Sequence, residues 1–571
     1  MYLMRFNSAK ILSSLWKIIW RFRVEILLFI LIVPAIKSLL QPGFFSMHDD
    51  MQAFRLFELD KCFKDGQIPC RWVPDGGFGY GYPLMQFYPP MPYYPMELMV
   101  ILGLGFFWPI KIMFALAFIL SGIGMYYLAK EFFGKWGGVL SAVFYVYAPY
   151  HSVDVYVRGA QNEAWGMVWF PFVLLYIYNL ITKKFSWKNF LLFAICLAGQ
   201  LTSHNVMTLV FAPSAVIWAL FWIWRTKKVK TIKHLFLSGA LGIGLAAFFF
   251  LPVVLEQKYV HIDSMISGYF NYMAHYADIN QLFFSRFWGY GGSTWGPNDD
   301  MSFSVGQLQW IIALVASVFA IFRFKKHRES SLVILMSVLF GTLYAFMTHS
   351  RSFPIWERLP LLQYAQFPWR LVALIVFYFS FVAGYLATIR LPHIWKKIVF
   401  VLLSIGVIVW NTQFFHIERP VRVTLEEKMA GNQWLNQVTS GIFDYLPRSA
   451  TRPPGDPAPT IPIYLEGQGG IQYYVTGTNW MKFIANVSSP KAKIMLPLFS
   501  FPGLVTKVDN KKVTTTYDTD LGRVIIDLPE GKHSVSAKIG YTPVRLISDL
   551  ITLASIFVLI KLTQHARRQP R

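Results

Sequence analysis

Charged residues are scarce in this 571-residue chain, and acidic residues are the scarcest of them. Only 15% of the residues are charged, with 30 acidic against 53 basic side chains, while 55% are hydrophobic. A mean hydropathy of +0.42 excludes an ordinary soluble globular protein and is typical of a chain that crosses a membrane many times. The net charge of +23 does not indicate nucleic-acid binding, because the basic residues form short clusters between apolar runs.

Cysteine is almost absent, and three residues are too few for a disulfide framework. Cys196 lies in an apolar run and is expected in a core. Cys62 and Cys70 share the first polar loop and could form a local disulfide if that loop lies outside the cytoplasm. A cleavage motif of small residues is also lacking before "QPGFFSMHDD", so the basic N-terminus and the apolar run at 24–40 predict an uncleaved first helix.

Apolar runs of about 17–25 residues, long enough to cross a bilayer, recur along the chain. The stretch at 90–108 is ambiguous, because it is short, rich in Pro and Tyr, and aromatic at its ends. If it lies on the outer surface as an interfacial or re-entrant helix, every later basic cluster faces the cytoplasm. The sequence therefore predicts about twelve spans in the plasma (inner) membrane, with both termini cytoplasmic. They lie near 24–40, 110–129, 137–153, 164–181, 188–205, 206–224, 235–255, 305–323, 331–348, 369–389, 396–414 and 546–562.

The last long outer segment differs in kind from the rest of the chain. After a Pro-rich stretch at 452–464, short alternating runs are separated by the turn signals "DNKK", "DTDLG" and "PEGKH". Seven or so short strands of this kind predict an antiparallel β-sandwich. The predicted domains are a polytopic membrane domain, 1–414, whose first outer loop is 41–109; an extracytoplasmic β-rich domain, 415–545; and a transmembrane helix with a basic cytoplasmic tail, 546–571.

Two adjacent carboxylates beside the first span are the first candidate for chemistry. His48, Asp49 and Asp50 stand side by side at the membrane edge, where each charge is costly to desolvate. A helix cap explains one aspartate, but it explains two with a histidine less well. Carboxylates can deprotonate a hydroxyl nucleophile or hold a divalent cation such as Mg²⁺ or Mn²⁺. Asp49 is therefore the candidate general base, and Asp49 with Asp50 the candidate metal site.

Further polar groups interrupt the later span boundaries on the same predicted face. The segment "YHSVDVYVRGAQNEAWG" holds Asp154, Arg158 and Glu163, and an Arg158–Glu163 pair that caps the helix start is the simpler interpretation. The segment "LTSHN" places His204 between two apolar runs, where a structural role is the alternative.

Arginines form the third group, in "RSFPIWERLPLLQYAQFPWR". Arg351, Arg358 and Arg370 suit a phosphate through their planar fork of donors, with snorkelling to lipid headgroups as the alternative. Carboxylates, histidines and arginines on one face suit transfer of a group from a lipid phosphate. The residues alone do not say which group is moved.

The block "HDDMQAFRLFELDKCFKDGQIPCRWVPDGGFGYGYPLMQFYPPMPYY" resembles the opening block of the prokaryotic "6-pyruvoyl-tetrahydropterin synthase-related" integral membrane protein family. "VRGAQNE", "LTSHN" and "QFPWR" resemble its later blocks. The zinc-site pattern of soluble pterin synthases is absent, so the label does not imply that activity. The residues that fit the opening pattern are His48, Asp49, Arg55, Gly66, Pro69, Arg71, Trp72, Gly79, Tyr80, Gly81, Phe87, Tyr88 and Pro90.

The architecture is also similar to that of the GT-C glycosyltransferases, multi-span enzymes that use polyprenyl-phosphate sugars. The resemblance implies a membrane glycosyltransferase of the cell envelope, whose partners are a polyprenyl-phosphate sugar lipid and a glycan or glycolipid acceptor. The alternatives are a lipid or polysaccharide transporter (flippase) and a non-catalytic membrane scaffold. The catalytic candidates are His48, Asp49, Asp50 and Glu163, and the substrate-binding candidates are Arg55, Arg71, Asp154, Arg158, His204, Arg351 and Arg370.

Overall fold

The protein is a multi-pass membrane protein. The computed structural model describes residues 20, 22–296 and 298–568, and within them eight helices are long and apolar enough to cross a bilayer. Twelve spans and cytoplasmic termini stay predictions. The orientation is predicted from basic clusters, and some of their residues lie outside the described part of the chain, namely Arg5, Lys10, Lys17, Arg21 and Arg571.

The helices follow the predicted apolar runs closely. Those of nine or more residues are α1 (Arg23–Ile36), α2 (Gln52–Lys64), α3 (Tyr93–Ile101), α4 (Phe107–Val146), α5 (Gln161–Thr182), α6 (Trp187–Ser203), α7 (Asn205–Thr226), α8 (Thr231–Glu256), α9 (Gln307–Phe322), α10 (Arg328–Thr348), α11 (Val372–Ala383), α12 (His393–Asn411), α13 (Gly431–Thr439) and α14 (Pro543–Arg568). Shorter helical turns lie at Leu84–Phe87, Pro149–Ser152, Phe353–Arg358, Pro360–Gln363 and Leu425–Lys428.

Two predicted runs, 110–129 and 137–153, are joined in the 40-residue α4. A non-helical residue inside it, Gly134 (φ +72°, ψ −178°), separates the two parts, and glycine adopts this conformation without steric cost. The second run was predicted too long. The helix ends at Val146, because Pro149 forces the residue before it, Ala148, into an extended conformation.

The centre of the membrane domain is α11. All of its residues are buried, and a helix that is apolar on every side belongs in the interior of a bundle. It packs against α4, α9 and α10. Two loops are predicted to face outward, and we keep the names first outer loop for 41–109 and second outer loop for 150–166. They emerge where α1, α4 and α5 end or begin, so the same bundle sets the positions of both loops.

The first outer loop is an ordered part of the fold. Its β1 (Phe44–Phe45) pairs with β2 (Pro420–Val421), and its α2 is largely buried. The stretch at 90–108 contains only the nine-residue α3, about 14 Å long and so too short to cross a core of about 30 Å. The structure also joins Cys62 and Cys70 in a disulfide.

The C-terminal domain contains a β-sheet, as predicted. Its strands form one seven-stranded antiparallel sheet, whereas the sequence predicted a sandwich of short strands. The difference arises because two pairs of predicted strands are each one long, bulged strand, and "PEGKH" lies inside the second of them. The strands are β3 (Ile463–Glu466), β4 (Gly469–Thr476), β5 (Trp480–Phe499), β6 (Leu504–Val508), β7 (Lys511–Val513), β8 (Thr516–Tyr517) and β9 (Arg523–Ile539).

The irregular positions of β5 and β9 lie opposite each other, and the two strands pair on both sides of them. Neither position is therefore a turn. Lys491 pairs with Pro529 and Val487 with Gly531, and the register shifts between these pairs. A bulge of this kind bends a strand without ending its hydrogen-bonded ladder. The sheet order β3–β5–β9–β6–β7 then follows, with β4 on β5 and β8 on β9.

The sheet is held against the first outer loop by specific contacts. Asp65 accepts hydrogen bonds from the Thr478 backbone N–H at 2.8 Å and from Trp480 Nε1 at 3.1 Å. Trp72 packs against Phe501 with ring centroids 5.6 Å apart. The loop and the sheet therefore form one surface above the helices.

Candidate catalytic site

The first and second outer loops meet through their backbones. The His48 N–H donates to the Val157 carbonyl at 3.0 Å, and the Asp49 N–H donates to the Arg158 carbonyl at 2.9 Å. Backbone bonds of this kind fix the register of two loops that are more than a hundred residues apart in sequence. The acidic motif of the first loop and the charged motif of the second therefore lie side by side.

A glycine permits this close approach. Gly159 has φ +64°, and a Cβ there would lie 2.2 Å from Met47 Sδ. Its carbonyl accepts a hydrogen bond from Gln52 Nε2 at 2.8 Å, and Tyr93 donates to the Gln52 side-chain oxygen. Any side chain at this position would push the two loops apart.

Asp49 has one oxygen engaged and one available. Its Oδ2 accepts from Arg55 Nη1 at 2.8 Å and from Gln52 Nε2 at 3.2 Å. Arg55 is itself fixed above the ring of Tyr88, 4.0 Å from its centroid. The Asp49 side chain is 35% exposed, and within the described residues Oδ1 has no hydrogen-bond partner. An ionised carboxylate with a free oxygen can accept a proton.

Asp50 faces a different partner. Its Oδ2 lies 2.5 Å from Nζ of the buried Lys428, in the segment that precedes the sheet. Burial raises the pKa of Asp50, and Lys428 opposes that shift. Asp49 and Asp50 are thus each engaged by a cation of the protein, and the described residues contain no group of three or more side chains suited to hold a metal. This donor set does not fit a divalent cation, so metal binding stays an untested prediction.

His48 lies at the mouth of a cavity beside the motif. Its ring contacts the Tyr290 ring edge-on, with centroids 4.9 Å apart. The guanidinium group of Arg419 lies over the same Tyr290 ring, 4.0 Å from its centroid. Partial burial, with the positive charges of Arg158 and Arg419, lowers the pKa of His48 to about 4, so the ring is neutral at pH 7. The cavity has a volume of about 410 Å³, and its polar lining includes His48, Asp50, Lys428, Gln433 and Asn436.

The second loop carries a carboxylate between two arginines. Glu163 Oε2 lies 2.9 Å from Arg158 Nη2 and 3.4 Å from Arg370 Nε, and Tyr150 donates to Oε1 at 2.6 Å. The Arg158–Glu163 pair expected from the sequence is present, but it is more than a helix cap. Arg370, about two hundred residues later in the chain, also approaches Glu163, so two guanidinium groups converge on one buried carboxylate.

Asp154 completes this arrangement. It pairs with Arg158, and its Oδ2 is buried without a hydrogen-bond partner among the described residues. Burial and the nearby Glu163 charge raise the pKa of Asp154. Arg158 also lies over the ring of Trp369, 4.6 Å from its centroid. The cluster of Arg158, Glu163 and Arg370 has two guanidinium groups and one carboxylate.

Three of the candidate arginines lie elsewhere, and one of them, Arg358, is exposed at the end of the short helix Phe353–Arg358. Arg71 forms a bidentate ion pair with Asp549 of α14, at 2.7 and 3.2 Å, and donates to the Phe248 carbonyl at 3.0 Å. It fastens the loop to the last helix. Arg351 is exposed at the end of α10, and its side chain contributes nothing to the two-arginine cluster.

His204 is close to the cluster but has a structural task. Its Nδ1 accepts a hydrogen bond from the Met207 N–H at 3.1 Å and so caps the start of α7. It still interacts electrostatically with Glu163, which places its ring beside the second loop. His204 therefore stabilises the start of α7.

Sequence reasoning missed two charged residues of the site, both from the segment between the last bundle helix and the sheet. Lys428 is the partner of Asp50. Asp444 interacts electrostatically with Arg55 and Asp49, and burial raises its pKa to about 6. Asp444 stands alone between apolar residues in "GIFDYLP", and "TLEEKMAG" looks like an ordinary surface helix. Neither pattern carries a motif.

Comparison with known proteins finds a glycosyltransferase family model and distant structural relatives. The family model described as "Dolichyl-phosphate-mannose-protein mannosyltransferase" matches residues 88–255. A curated relative, an uncharacterized protein of Lactococcus lactis subsp. cremoris (strain MG1363), is 24% identical over 290 residues, which are 48% of this chain and 45% of that protein. The chain thus spans less than half of this relative, and the family model does not carry the pterin-synthase-related label.

Three solved structures are similar at low identity. The Archaeoglobus fulgidus oligosaccharyltransferase in its apo form is 12% identical with a TM-score of 0.43, covering 72% of this chain and 57% of that one. The arabinofuranosyltransferase AftD from Mycobacteria is 16% identical with a TM-score of 0.43, covering 74% and 27%. ArnT from Cupriavidus metallidurans bound to undecaprenyl phosphate is 14% identical with a TM-score of 0.37, covering 69% and 74%.

Proposed function

We propose that this protein is a membrane glycosyltransferase that moves a sugar from a polyprenyl-phosphate donor to a glycan or glycolipid acceptor outside the cytoplasm. The match of residues 88–255 to a mannosyltransferase family model supports the reaction class, because it includes the second outer loop. The observation that carries the proposal is the backbone junction that joins the segment of Asp49 to the segment of Arg158, whose side chain belongs to the cluster with Glu163 and Arg370.

On the acceptor side, Asp49 is the general base. Its Oδ1 takes the proton of an acceptor hydroxyl as the hydroxyl oxygen attacks the anomeric carbon of the donor sugar. Arg55 donates to Asp49 Oδ2 at 2.8 Å, and Gln52 donates to the same oxygen, so both hold the carboxylate in its orientation. His48 and Asp50 line the adjacent cavity of about 410 Å³, where they can hydrogen-bond the acceptor.

On the donor side, arginines hold the lipid phosphate. As the bond between the anomeric carbon and the phosphate oxygen breaks, its electron pair stays on the phosphate. The phosphate leaves on its lipid, with its new charge opposite Arg158 and Arg370. Among the described residues, Nη2 of Arg370 has no hydrogen-bond partner and is available for this contact. A fork of charged donors suits this leaving group because charge-assisted bonds to phosphate are among the strongest.

Glu163 sets the geometry of this pair of arginines. Two guanidinium groups would repel each other in a buried site, and the carboxylate between them holds both in place. Tyr150 fixes the remaining oxygen of Glu163 at 2.6 Å. Glu163 therefore positions the phosphate-binding arginines, and the proposed reaction needs no step through a metal.

The proposed site lies on the outer side of the plasma (inner) membrane. The Cys62–Cys70 disulfide supports this placement, because disulfides persist in oxidising compartments. The short α3, with exposed Leu98 and Ile101, suits a helix that lies in the interface below the first loop. The donor lipid would then reach the loops from the outer leaflet.

The test is a transfer assay with the full chain in nanodiscs. Labelled polyprenyl-phosphate sugars are incubated with a panel of glycan and glycolipid acceptors, and the labelled product is measured. Asp49→Asn keeps the shape of the side chain but cannot take the proton, so we expect kcat to fall about 10²–10⁴-fold while the donor still binds. Asp263→Asn is the matched control, since Asp263 also pairs with an arginine, Arg448, in another outer loop.

Full transfer by a folded Asp49→Asn protein would remove the chemistry from this loop. Movement of an intact labelled lipid between leaflets without any product would instead identify a flippase. Donor binding without either activity would favour a scaffold.

A further inference from the structure

A groove lies between the first outer loop and the sheet, and the proposed reaction does not use it. It has a volume of about 580 Å³, within the range of about 300–1,000 Å³ that small-molecule sites occupy. Three parts of the chain form it: the loop at 72–81, the helix α13 and the sheet at 474–481, with the Pro-rich stretch at 457–460 along one side. We name it the loop–sheet groove.

Aromatic rings form the walls of the loop–sheet groove. Phe78, Trp434, Tyr474 and Trp480 line it, and each is half-buried, with part of its surface open to the groove. Asp65 fixes the ring of Trp480 through its Nε1 at 3.1 Å. Rings held in this way offer flat, rigid faces at little cost in conformational entropy.

The remaining lining combines apolar side chains, such as Leu435, Val438 and Met481, with uncharged polar groups and one carboxylate that is paired with a lysine. Asn432 and Thr460 are exposed in the groove, and neither side chain has a hydrogen-bond partner among the described residues. The carboxylate of Asp75 is paired with Lys61. The lining contains no lysine, arginine or histidine among the described residues, so it has no cation to hold a phosphate.

These features favour a neutral polyol over a lipid or an ion. A sugar ring presents apolar C–H faces that pack on aromatic rings, and a rim of hydroxyl groups that amides and hydroxyls can bind. A prenyl or acyl chain would enter from the bilayer, yet none of the described lining residues belongs to an apolar helix. The groove therefore matches a saccharide.

The groove is connected to the candidate catalytic site through α2. Trp434 packs on Phe54 and Phe57 of this helix, with ring centroids 5.8 and 6.2 Å away. The same helix carries Arg55, the partner of Asp49. A ligand on Trp434 therefore lies against the element that holds the proposed base.

We propose that the loop–sheet groove binds a neutral oligosaccharide, with sugar rings stacked on Trp434 and Trp480. In the transfer reaction this oligosaccharide is the acceptor chain, a role that rests on the proposed function. Binding itself does not require the transfer reaction, and it is measured without donor. A failure of the groove and a failure of the glycosyltransferase are thus separate outcomes.

The experiment measures binding of neutral mannose, glucose and galactose oligosaccharides to the full chain in detergent, by saturation-transfer NMR and calorimetry. We expect wild-type protein to bind at least one series. Trp434→Leu and Trp480→Leu should each weaken binding about tenfold or more, which is about 1.4 kcal/mol. Trp295→Leu is the control, since Trp295 is a tryptophan of another outer loop with 74% of its surface exposed.

Two more variants keep the test independent of folding. Trp434→Phe retains a stacking face and should restore most of the affinity lost in Trp434→Leu. Thr460→Trp removes no packing, because Thr460 is exposed, and it should block the groove. The proposal is overturned if no neutral oligosaccharide binds, if Thr460→Trp binds like wild type, or if a prenol competes for the groove in place of sugar.

Discussion

The two charged clusters of the first and second loops are built from the same residue types but in opposite proportions. In the first loop, one arginine, Arg55, forms an ion pair with Asp49, whose side chain is 35% exposed. In the second loop, two arginines surround Glu163, whose side chain is 1% exposed. An exposed carboxylate with a spare oxygen suits proton transfer, and buried arginines held by a carboxylate suit a fixed anion site. In the proposed function, this contrast corresponds to a general base in the first loop and phosphate binding in the second.

The burial of the second cluster predicts the largest effect. Arg158→Ala should lower the free energy of unfolding by about 3–5 kcal/mol, because it leaves Glu163 and Asp154 buried without their main partner. Thermal and denaturant unfolding in detergent measure the loss. Arg448→Ala removes an exposed pair with Asp263 and should cost less than about 1 kcal/mol. Equal losses in the two variants would contradict the view that the cluster is a buried network.

Arg370, whose Nη2 has no hydrogen-bond partner among the described residues, is expected to contribute to the affinity for the lipid-linked sugar. Arg370→Ala should raise the donor KM about 10–100-fold, since a charge-assisted contact to phosphate contributes about 1.5–3 kcal/mol. Steady-state kinetics with a fixed acceptor measure this. Arg351→Ala is the matched control, because Arg351 is exposed and outside the cluster. A fall in kcat with an unchanged donor KM would remove Arg370 from the phosphate site.

The same contrast shows what the sequence alone can predict. Apolar periodicity located nearly every long helix, because burial in lipid or in a bundle demands long apolar runs. The motif His48-Asp49-Asp50 and the second-loop motif were visible because charged and ionisable side chains are rare at span boundaries. Lys428 and Asp444 were not visible, since each reaches the site only through the tertiary fold. The long β5 and β9 were missed because Pro and Gly in a bulge resemble a turn.

The different partners of Asp49 and Asp50 predict a smaller effect for the second carboxylate. Because Lys428 and Arg55 engage the pair separately, chelation of divalent cations should leave the transfer rate of the wild type unchanged. Asp50→Asn should reduce the rate less than Asp49→Asn does, and added Mg²⁺ or Mn²⁺ should not restore it. The measurement is transfer in the presence of chelator and of each metal in turn. Rescue by metal would make Asp49 and Asp50 a cation site after all.

Asp444 provides the smallest and most specific effect, a change in how stability depends on pH. Burial raises its folded-state pKa from 3.8 to about 6, so between these values the folded protein binds more protons than the unfolded chain. Its contribution to stability is therefore present at acid pH and is lost as the pH rises through about 6. Asp444→Asn should leave the thermal midpoint nearly unchanged near pH 4 and raise it near pH 7.5. Scanning fluorimetry at both pH values measures the difference, with the exposed Asp456→Asn as control. A midpoint that shifts equally at both pH values would show that Asp444 does not titrate with a raised pKa in the folded protein.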